Sequence, residues 1–116
     1  MKVIIAGGRD FNNYPLLKEK CDIILSKVKE DIIIVSGTAK GADLLGERYA
    51  VEHNYQIVYF PANWRLYGAG AGPIRNKEMA EYGDSLILFW NGVSKGSADM
   101  LKKAEAKGLK TRIIKY

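Results

Sequence analysis

Four short segments of the chain combine glycine with a cationic side chain, and that combination can hold a phosphate group. They read "GGRD" at residues 7–10, "SGTAKGAD" at 36–43, "GPIRN" at 72–76 and "NGVSKGS" at 91–97. Glycine lets the backbone approach an anion closely, and the amides that open a helix point toward it. Lysine adds a point charge, whereas arginine can bind two phosphate oxygens at once.

Each segment also has an ordinary explanation as a turn. The segment at 36–43 has neither the GK[ST] ending of a Walker loop nor the GxGxxG spacing of a dinucleotide fingerprint. A tight strand-to-helix turn would use the same glycines, with Asp43 stabilised near the positive end of the helix that follows. Both interpretations stay open from the residues alone. The candidate ligand-binding residues in the four segments are Gly7, Gly8, Arg9, Asp10, Ser36, Gly37, Thr38, Lys40, Gly41, Asp43, Arg75, Asn76, Gly92, Ser94, Lys95, Gly96 and Ser97.

The segment "GPIRN" carries a more specific signal. Pro73 suits the first position of a helix, which would place Arg75 and Asn76 in the first helical turn. A cation in that turn opposes the helix dipole at a cost of ~0.3–1 kcal/mol. Such a placement is explained if an anion arrives to pair with Arg75. The alternative is an arginine that points away toward a surface acid.

Two tryptophans could stack on a base or a sugar. Trp64 lies in residues 61–72, which show no periodicity and are therefore predicted to form a long loop, and such loops are usually functional. Trp90 ends the apolar run "SLILFW". The alternative for Trp64 is a hydrophobic plug over the sheet edge or a contact between subunits.

The chain has few residues for metal or triad chemistry. It contains one histidine, His53, and one cysteine, Cys21, so we expect no metal site, no disulfide framework and no Ser-His-Asp set. No cofactor is expected either, and no catalytic residue can be assigned. An enzyme would have to use one of the carboxylates Asp10, Asp43, Glu47 or Asp99.

The elements that position these segments alternate regularly. The strands are predicted in "KVIIA", "DIIIV", "YQIVYF", "SLILFW" and "LKTRIIKY", and the helices in "YPLLKEKCDIILSKV", "ADLLGERYAVEH", "GPIRNKEMAEYG" and "SADMLKKAEAKG", the last with Ser97 as its N-cap and Gly108 at its end. This alternation predicts one Rossmann-like α/β domain over residues 1–116, with about five parallel strands and helices on both faces.

The loops of such a fold differ at its two edges. Helix-to-strand connections are short, whereas the connections from a strand to a helix are long and contain glycine. In a parallel sheet these lie beyond the carboxyl ends of the strands, where ligands bind. The sequence therefore predicts a single pocket at this edge, lined by Gly8, Arg9, Gly37, Thr38, Arg75, Gly92 and Lys95.

Charge and the N-terminus limit the classes of partner. Residues 95–116 hold seven cationic and two acidic residues, which is the whole net charge of +5 among the 116 residues. That segment could meet nucleic acid or a phosphate-bearing ligand, although the more ordinary explanation of such a charge run is a solvated helix face. The opening "MKVIIAGG" is too short for a signal peptide or a membrane span. We expect a cytoplasmic protein without a membrane partner.

Four motifs taken in order resemble a known family. "GGRDF", "VSGTAKGADLLGERYA", "FPANWRLYGAGAGPIRNKEMA" and "ILFWNGVSKGSADML" are similar to the small YspA-like, YpsA-related branch of the SLOG superfamily, from about residue 3 to 114. The resemblance implies a Rossmann-like fold that binds nucleotides or nucleotide-derived signals. The superfamily includes the Lonely Guy phosphoribohydrolases, DNA-processing proteins and sensor domains of anti-phage systems.

Two positions depart from the pattern that this resemblance implies. Thr38 stands where the family usually has the second of two glycines, which either narrows the cradle or adds a hydroxyl contact. The phosphoribohydrolase branch has a catalytic glutamate at the place of Met100, and Asp99 comes one residue early. Because one residue turns a helix by ~100°, Asp99 should point elsewhere. Arg75 does match that branch's arginine.

The function we expect is binding of a nucleotide or nucleotide-derived small molecule, for sensing or sequestration, at the carboxyl edge of the sheet. The first alternative is a phosphoribohydrolase-like hydrolase of an N-glycosidic or phosphoester bond. A further alternative is nucleic-acid binding through the basic C-terminal segment. The resemblance also implies a homo-oligomer.

Overall fold

The computed structural model describes residues 1–116. Five strands alternate with helices, and a short 3-10 turn precedes the fourth helix. The strands are β1 (Lys2–Gly7), β2 (Ile33–Ser36), β3 (Gln56–Tyr59), β4 (Ser85–Trp90) and β5 (Lys110–Lys115). The helices are α1 (Tyr14–Leu25), α2 (Ala42–Glu52), α3 (Trp64–Tyr67), α4 (Ala71–Tyr82) and α5 (Lys95–Ala106), with the 3-10 turn at Gly68–Gly70.

The strands form one parallel sheet in the order β3-β2-β1-β4-β5. This confirms the predicted Rossmann-like class with five parallel strands. The chain leaves β1 toward β2 and β3 and later returns to place β4 on the other side of β1. Loops from neighbouring strands diverge at such a reversal and leave a crevice beyond the carboxyl ends of β1 and β4.

Two apolar layers hold the helices on the sheet. Successive side chains of a strand point to opposite faces, so Val3 and Ile5 pack with α1 and α2, while Ile4 packs with α4 and α5. Leu17 and Tyr49 fill the first layer, and the second layer is closed by side chains from α4 and α5. None of the helices is long and apolar enough to cross a lipid bilayer.

The prediction of a long loop at residues 61–72 was wrong. Asn63 caps α3 by accepting a hydrogen bond from the Leu66 amide at 3.0 Å, and α4 already begins at Ala71. Pro73 is therefore the third residue of α4, where its missing amide hydrogen costs no helical bond. Arg75 is the fifth residue and lies in the second turn, so the argument from a cation in the first turn does not hold.

The start of α5 also differs from the sequence expectation. Ser94, and not Ser97, is the N-cap, and its hydroxyl accepts from the Ser97 amide at 3.4 Å. Ser97 is the third helical residue and its side chain is free for another role. Gly108 follows the helix end with a φ of +73°, a conformation that glycine favours.

Gly41 joins the loop after β2 to the loop after β1, and its replacement should destabilise the fold. Its φ is +79°, and a Cβ there would overlap the carbonyl oxygen of Gly8. An alanine would suffer both the strain of a left-handed backbone conformation and the steric overlap of its Cβ. We therefore expect Gly41→Ala to lower the free energy of unfolding by at least ~2 kcal/mol. Urea denaturation measures this.

Gly70→Ala is the matched control for that measurement. Gly70 has a φ of −78°, and a Cβ there would meet only Ile74 Cδ1 at 4.0 Å. The free energy of unfolding should then change by no more than ~0.5–1 kcal/mol. An equal loss in both variants would contradict the steric explanation.

Candidate functional site

The crevice between β1 and β4 holds a cavity of about 570 Å³. Its floor is apolar and comes from β1, α4, β4 and α5, with Ala6, Met79, Leu88 and Met100. Its walls carry most of the polar residues singled out in the sequence. The predicted residues that line this first cavity are Gly7, Gly8, Arg9, Asp10, Asp43, Trp64, Arg75, Asn76, Ser94, Lys95, Gly96 and Ser97.

A second cavity of about 490 Å³ adjoins the first on the side of β2. It is lined by Gly37 and Thr38, which were predicted to share a pocket with the other residues, and by the candidate ligand-binding residue Lys40. Arg9 and Arg75 line both cavities, together with Ala39 and Trp64. The predicted single pocket is therefore two cavities at one edge with a shared wall, and whether these residues bind a ligand stays a prediction.

Ser36 lines neither cavity. Its hydroxyl donates to Glu47 Oε2 at 2.6 Å and accepts from the Thr38 amide at 3.0 Å. These two bonds tie the loop after β2 to α2. Ser36 thus holds in place the loop that forms the wall of the second cavity, although it does not line that cavity. The carboxylate of Glu47 accepts one of the two hydrogen bonds.

Three other predicted residues also lie outside both cavities. Trp90 donates from Nε1 to the carbonyl of Ser94 at 3.1 Å, and the Lys115 ammonium lies 5.5 Å from its ring centroid. Gly92 has a φ of +86° and forms the turn after β4. Gly41 packs beneath Gly8. These residues support the loops, and Trp64 is the tryptophan that faces the cavities.

Arg75 is a buried cation, with 9% of its surface exposed. Nη1 donates to the carbonyl of Gly37, and Nε donates to Asn76 Oδ1 at 3.0 Å. Neither bond uses Nη2. Burial lowers the pKa of Arg75, and the nearby Asp43 opposes that shift. Arg75 therefore fastens the loop after β2 to α4 and does not point to a surface acid.

Asp43 is the most buried carboxylate of the site, with 4% of its surface exposed. One oxygen accepts from the Ala39 amide at 3.2 Å. Burial raises the pKa of Asp43 to about 6, against the opposing effects of the Ala39 amide, Arg75 and Arg9. The negative charge of Glu47 adds a smaller upward shift to the pKa of Asp43.

The Ser97 hydroxyl is a buried polar group without a partner. The residue is 4% exposed, and its Oγ forms no hydrogen bond within the chain. It lines the first cavity in the first turn of α5. Since buried hydroxyls almost always find a partner, an unpaired one on a residue that lines a cavity is unusual.

Asp99 lies on the wall of the first cavity, but both of its oxygens are occupied. Lys103 Nζ donates to each of them at 2.8 Å, and Asn76 Nδ2 donates to Oδ2 at 3.0 Å. Met100 lies beside it in the apolar floor. The carboxylate thus links α4 to α5.

Two further contacts shape the mouth of the first cavity. The guanidinium of Arg9 lies 5.7 Å from the Trp64 ring centroid, and Trp64 remains 49% exposed. The Tyr116 hydroxyl donates to Asp10 Oδ1 at 2.6 Å, and burial together with Asp10 raises the pKa of Tyr116 to about 12. Sequence reasoning missed Tyr116, although a fifth parallel strand already places its end at this edge.

Thr38 adopts a backbone conformation that favours glycine. Its φ is +64°, and a left-handed conformation costs a residue with a Cβ roughly 1–2 kcal/mol. This explains why glycine suits the position in the pattern that the sequence resembles. Strained residues of this kind concentrate at ligand sites.

Comparison with known proteins places the chain in a family. A model of the YspA, cpYpsA-related SLOG family matches residues 1–67, which is more than half of the chain. The chain belongs to this family. The match includes the loops after β1 and β2 and reaches α3, whereas Arg75 and α5 lie beyond it.

One relative of this SLOG family member covers nearly all of the chain. It is the Gene 61 protein of Mycobacterium phage D29, which is 26% identical over 114 residues and is aligned over 93% of this chain and 91% of the phage protein.

Two solved structures share the fold. DNA processing protein A (DprA) from Streptococcus pneumoniae has a TM-score of 0.75 at 21% identity, over 99% of this chain and 50% of that one. The Helicobacter pylori protein of the same name, described for its single-stranded DNA binding mode, has a TM-score of 0.67 at 18% identity, over 97% of this chain and 64% of that one. The SLOG chain thus spans half to about two thirds of these structures.

The raised pKa of Asp43 predicts a pH dependence of stability. The folded value is about 6 and the ordinary one is 3.8, so between these values the native state keeps a proton that the unfolded chain releases. Stability due to this group is present at low pH and falls as the pH rises through about 6, by ~3 kcal/mol in total.

Asp43→Asn should remove that dependence while it keeps the acceptor for the Ala39 amide. Relative to wild type, the variant should gain stability between about pH 4 and pH 7, measured by urea unfolding at each pH. The difference between the two proteins isolates Asp43 from the other carboxylates. A constant difference over this range would show that Asp43 does not titrate there.

Proposed function

We propose that the chain binds a nucleotide or nucleotide-derived small molecule in the first cavity, with a phosphate at the N-terminus of α5. The observation that carries this proposal is the unpaired hydroxyl of Ser97, a residue that lies in the first turn of that helix and lines the cavity. A phosphate oxygen there would supply the missing partner.

The start of α5 is suited to an anion for two further reasons. The amides of the first helical turn have no carbonyl partner within the helix and point outward, and only that of Ser97 is capped, by the Ser94 hydroxyl. Gly96 has no neighbouring atom within 4 Å of an added Cβ, so the backbone is open to approach. Lys95 is exposed beside it and adds positive charge.

The rest of the cavity suits the remainder of a nucleotide. Its volume of about 570 Å³ falls in the range of small-molecule sites. Trp64 offers an aromatic face on the wall, and stacking on a base contributes ~1–3 kcal/mol. The second cavity continues past Arg9 and Arg75 and gives room for a second anionic group.

The comparisons support nucleotide chemistry at a coarser level. The family description places the chain among SLOG proteins, and the H. pylori neighbour is described as binding single-stranded DNA. A nucleotide is the repeating unit of that polymer. This support concerns the class of ligand and leaves its identity to experiment.

Variants at the start of α5 test the proposal. Small molecules released from heat-denatured wild-type protein are identified by mass spectrometry, and nucleoside mono- and diphosphates are titrated by calorimetry. We expect the double variant Lys95→Ala and Ser97→Ala to bind about 10- to 100-fold more weakly, because a charged contact and a hydrogen bond are lost.

Lys102→Ala is the control, since Lys102 is an exposed lysine of the same helix and lines none of the cavities. Its affinity should match that of the wild type. Unchanged nucleotide affinity in the double variant would show that the phosphate does not bind at the start of α5. Absence of any nucleotide binding by the wild type would contradict the proposal itself.

One observation favours a second candidate function, hydrolysis of the bound nucleotide. The pKa of Asp43 near 6 suits a group that gives and takes a proton near neutral pH. Arg75 and Arg9 lie close enough to stabilise a developing negative charge. The engaged oxygens of Asp99 argue against the same role for that residue.

Base release separates binding from hydrolysis. If the chain only binds, nucleoside monophosphates and dinucleotides incubated with it should stay intact by chromatography. Turnover that disappears in Asp43→Asn while binding persists would establish a hydrolase, with a loss of ~10²–10⁴-fold. Turnover that disappears in Asp99→Asn would instead overturn our reading of the bonds to Lys103 and Asn76.

A further inference from the structure

A groove lies at the opposite edge of the sheet from the two cavities. It has a volume of about 650 Å³ and runs between the end of α1, residues 27–30 and the beginnings of β4 and β5. We call it the amino-edge groove. Its floor is aliphatic, with Ile24, Leu25, Val28, Leu86 and Ile87.

The topology of the sheet explains why this groove is open. Right-handed crossovers toward β3 place α1 and α2 on one face, and crossovers toward β5 place α4 and α5 on the other. No crossover helix therefore covers β5 on the α1 face. Ile87 packs in the layer of α1 and pairs with Arg112, so Arg112 lies on this uncovered face.

The groove is strongly basic. Lys27 and Lys29 stand on one wall and Lys110 and Arg112 on the other, and all four are exposed. None of the four takes part in an ion pair within the chain. Glu30 is the one acidic residue of the lining. The positive charge of the groove is therefore not neutralised by the protein.

We infer that the amino-edge groove binds single-stranded nucleic acid through its phosphate backbone. Cations on both walls suit a polymer that carries one negative charge per unit along its length. A second copy of this chain would bring the same positive charge and be repelled. A duplex presents its phosphates on a wide convex surface that cannot enter a groove of this size.

The lining also favours a nucleic acid over an acidic peptide. A peptide gains affinity from main-chain hydrogen bonds at a free strand edge, whereas β4, which floors the groove, pairs with both β1 and β5, and only the outer edge of β5 is unpaired. Sugars and bases can rest on Ile24 and Val28, the half-buried side chains of the floor, without such bonds. No aromatic, asparagine or glutamine side chain lines the groove, so binding has no sequence preference.

Salt dependence measures how many phosphates the groove holds. Four contacts to a single strand correspond to a slope of about −2.8 in log affinity against log salt concentration. The probe is a short fluorescein-labelled oligothymidylate, followed by fluorescence anisotropy from low to moderate salt. An oligoadenylate of equal length should bind equally.

Charge reversal localises the binding. Lys27→Glu with Arg112→Glu should weaken oligothymidylate binding by at least ~10-fold and reduce the salt slope by about 1.4, because two phosphate contacts are lost. Lys77→Glu with Lys102→Glu changes the net charge equally on the α4 and α5 face and should alter affinity less than ~3-fold. Lys29→Glu with Lys110→Glu repeats the test if the first pair unfolds.

Several results would overturn the inference. Equal losses in the two reversal pairs would show an effect of net charge alone. Loss of oligothymidylate binding in Ser97→Ala would place the strand at the carboxyl edge, while unchanged binding there keeps the two sites distinct. Poly-glutamate that competes as well as oligothymidylate at equal charge would indicate an acidic protein partner instead. Absence of oligothymidylate binding by the wild type at low salt would contradict the inference.

Discussion

The arrangement of the carboxyl edge depends on the bond from the Arg75 guanidinium to the carbonyl of Gly37. This contact fastens the loop after β2 to α4 across the crevice. Arg75 also donates a hydrogen bond from Nε to Asn76 Oδ1. Asn76 in turn donates a hydrogen bond to Asp99 and thereby links α4 to α5. A Cβ at residue 37 would lie 2.7 Å from both Arg75 Nη1 and Asp43 Oδ2, so a larger residue there would displace these two side chains. The walls of both cavities are thus held by one buried cation.

Burying that cation is costly unless charge and hydrogen bonds compensate for lost hydration. Arg75 has two hydrogen-bonding partners and Asp43 as a nearby opposite charge, while Arg9 works against it. The balance leaves a local excess of positive charge between the cavities. An anionic ligand would neutralise this excess charge. Arg75 and Arg9 would then contribute both to ligand binding and to the stability of the fold.

The sequence predicted the fold because alternation of apolar strands with helices admits few topologies. It also brought most of the candidate residues to one edge, since they lie in the loops that follow strands. It erred at residues 61–72, because a one-turn helix capped by Asn63 leaves no periodic signal. It placed Arg75 in the first turn from Pro73 alone, although proline is tolerated as late as the third position. Contacts between distant residues, such as Tyr116 with Asp10, need the assembled sheet to become visible.

The contact of Tyr116 with Asp10 has a practical consequence for work with this protein. The last side chain is held against the loop after β1, where its ring also lies 4.8 Å from that of Phe11. At the other end, Met1 lines the amino-edge groove and its ammonium group donates to the carbonyl of Asp31. A purification tag fused to residue 116 would emerge beside the cavities, and one fused to residue 1 would emerge beside the groove. Tags that can be cleaved off, tried at each end in turn, are therefore needed to study either surface.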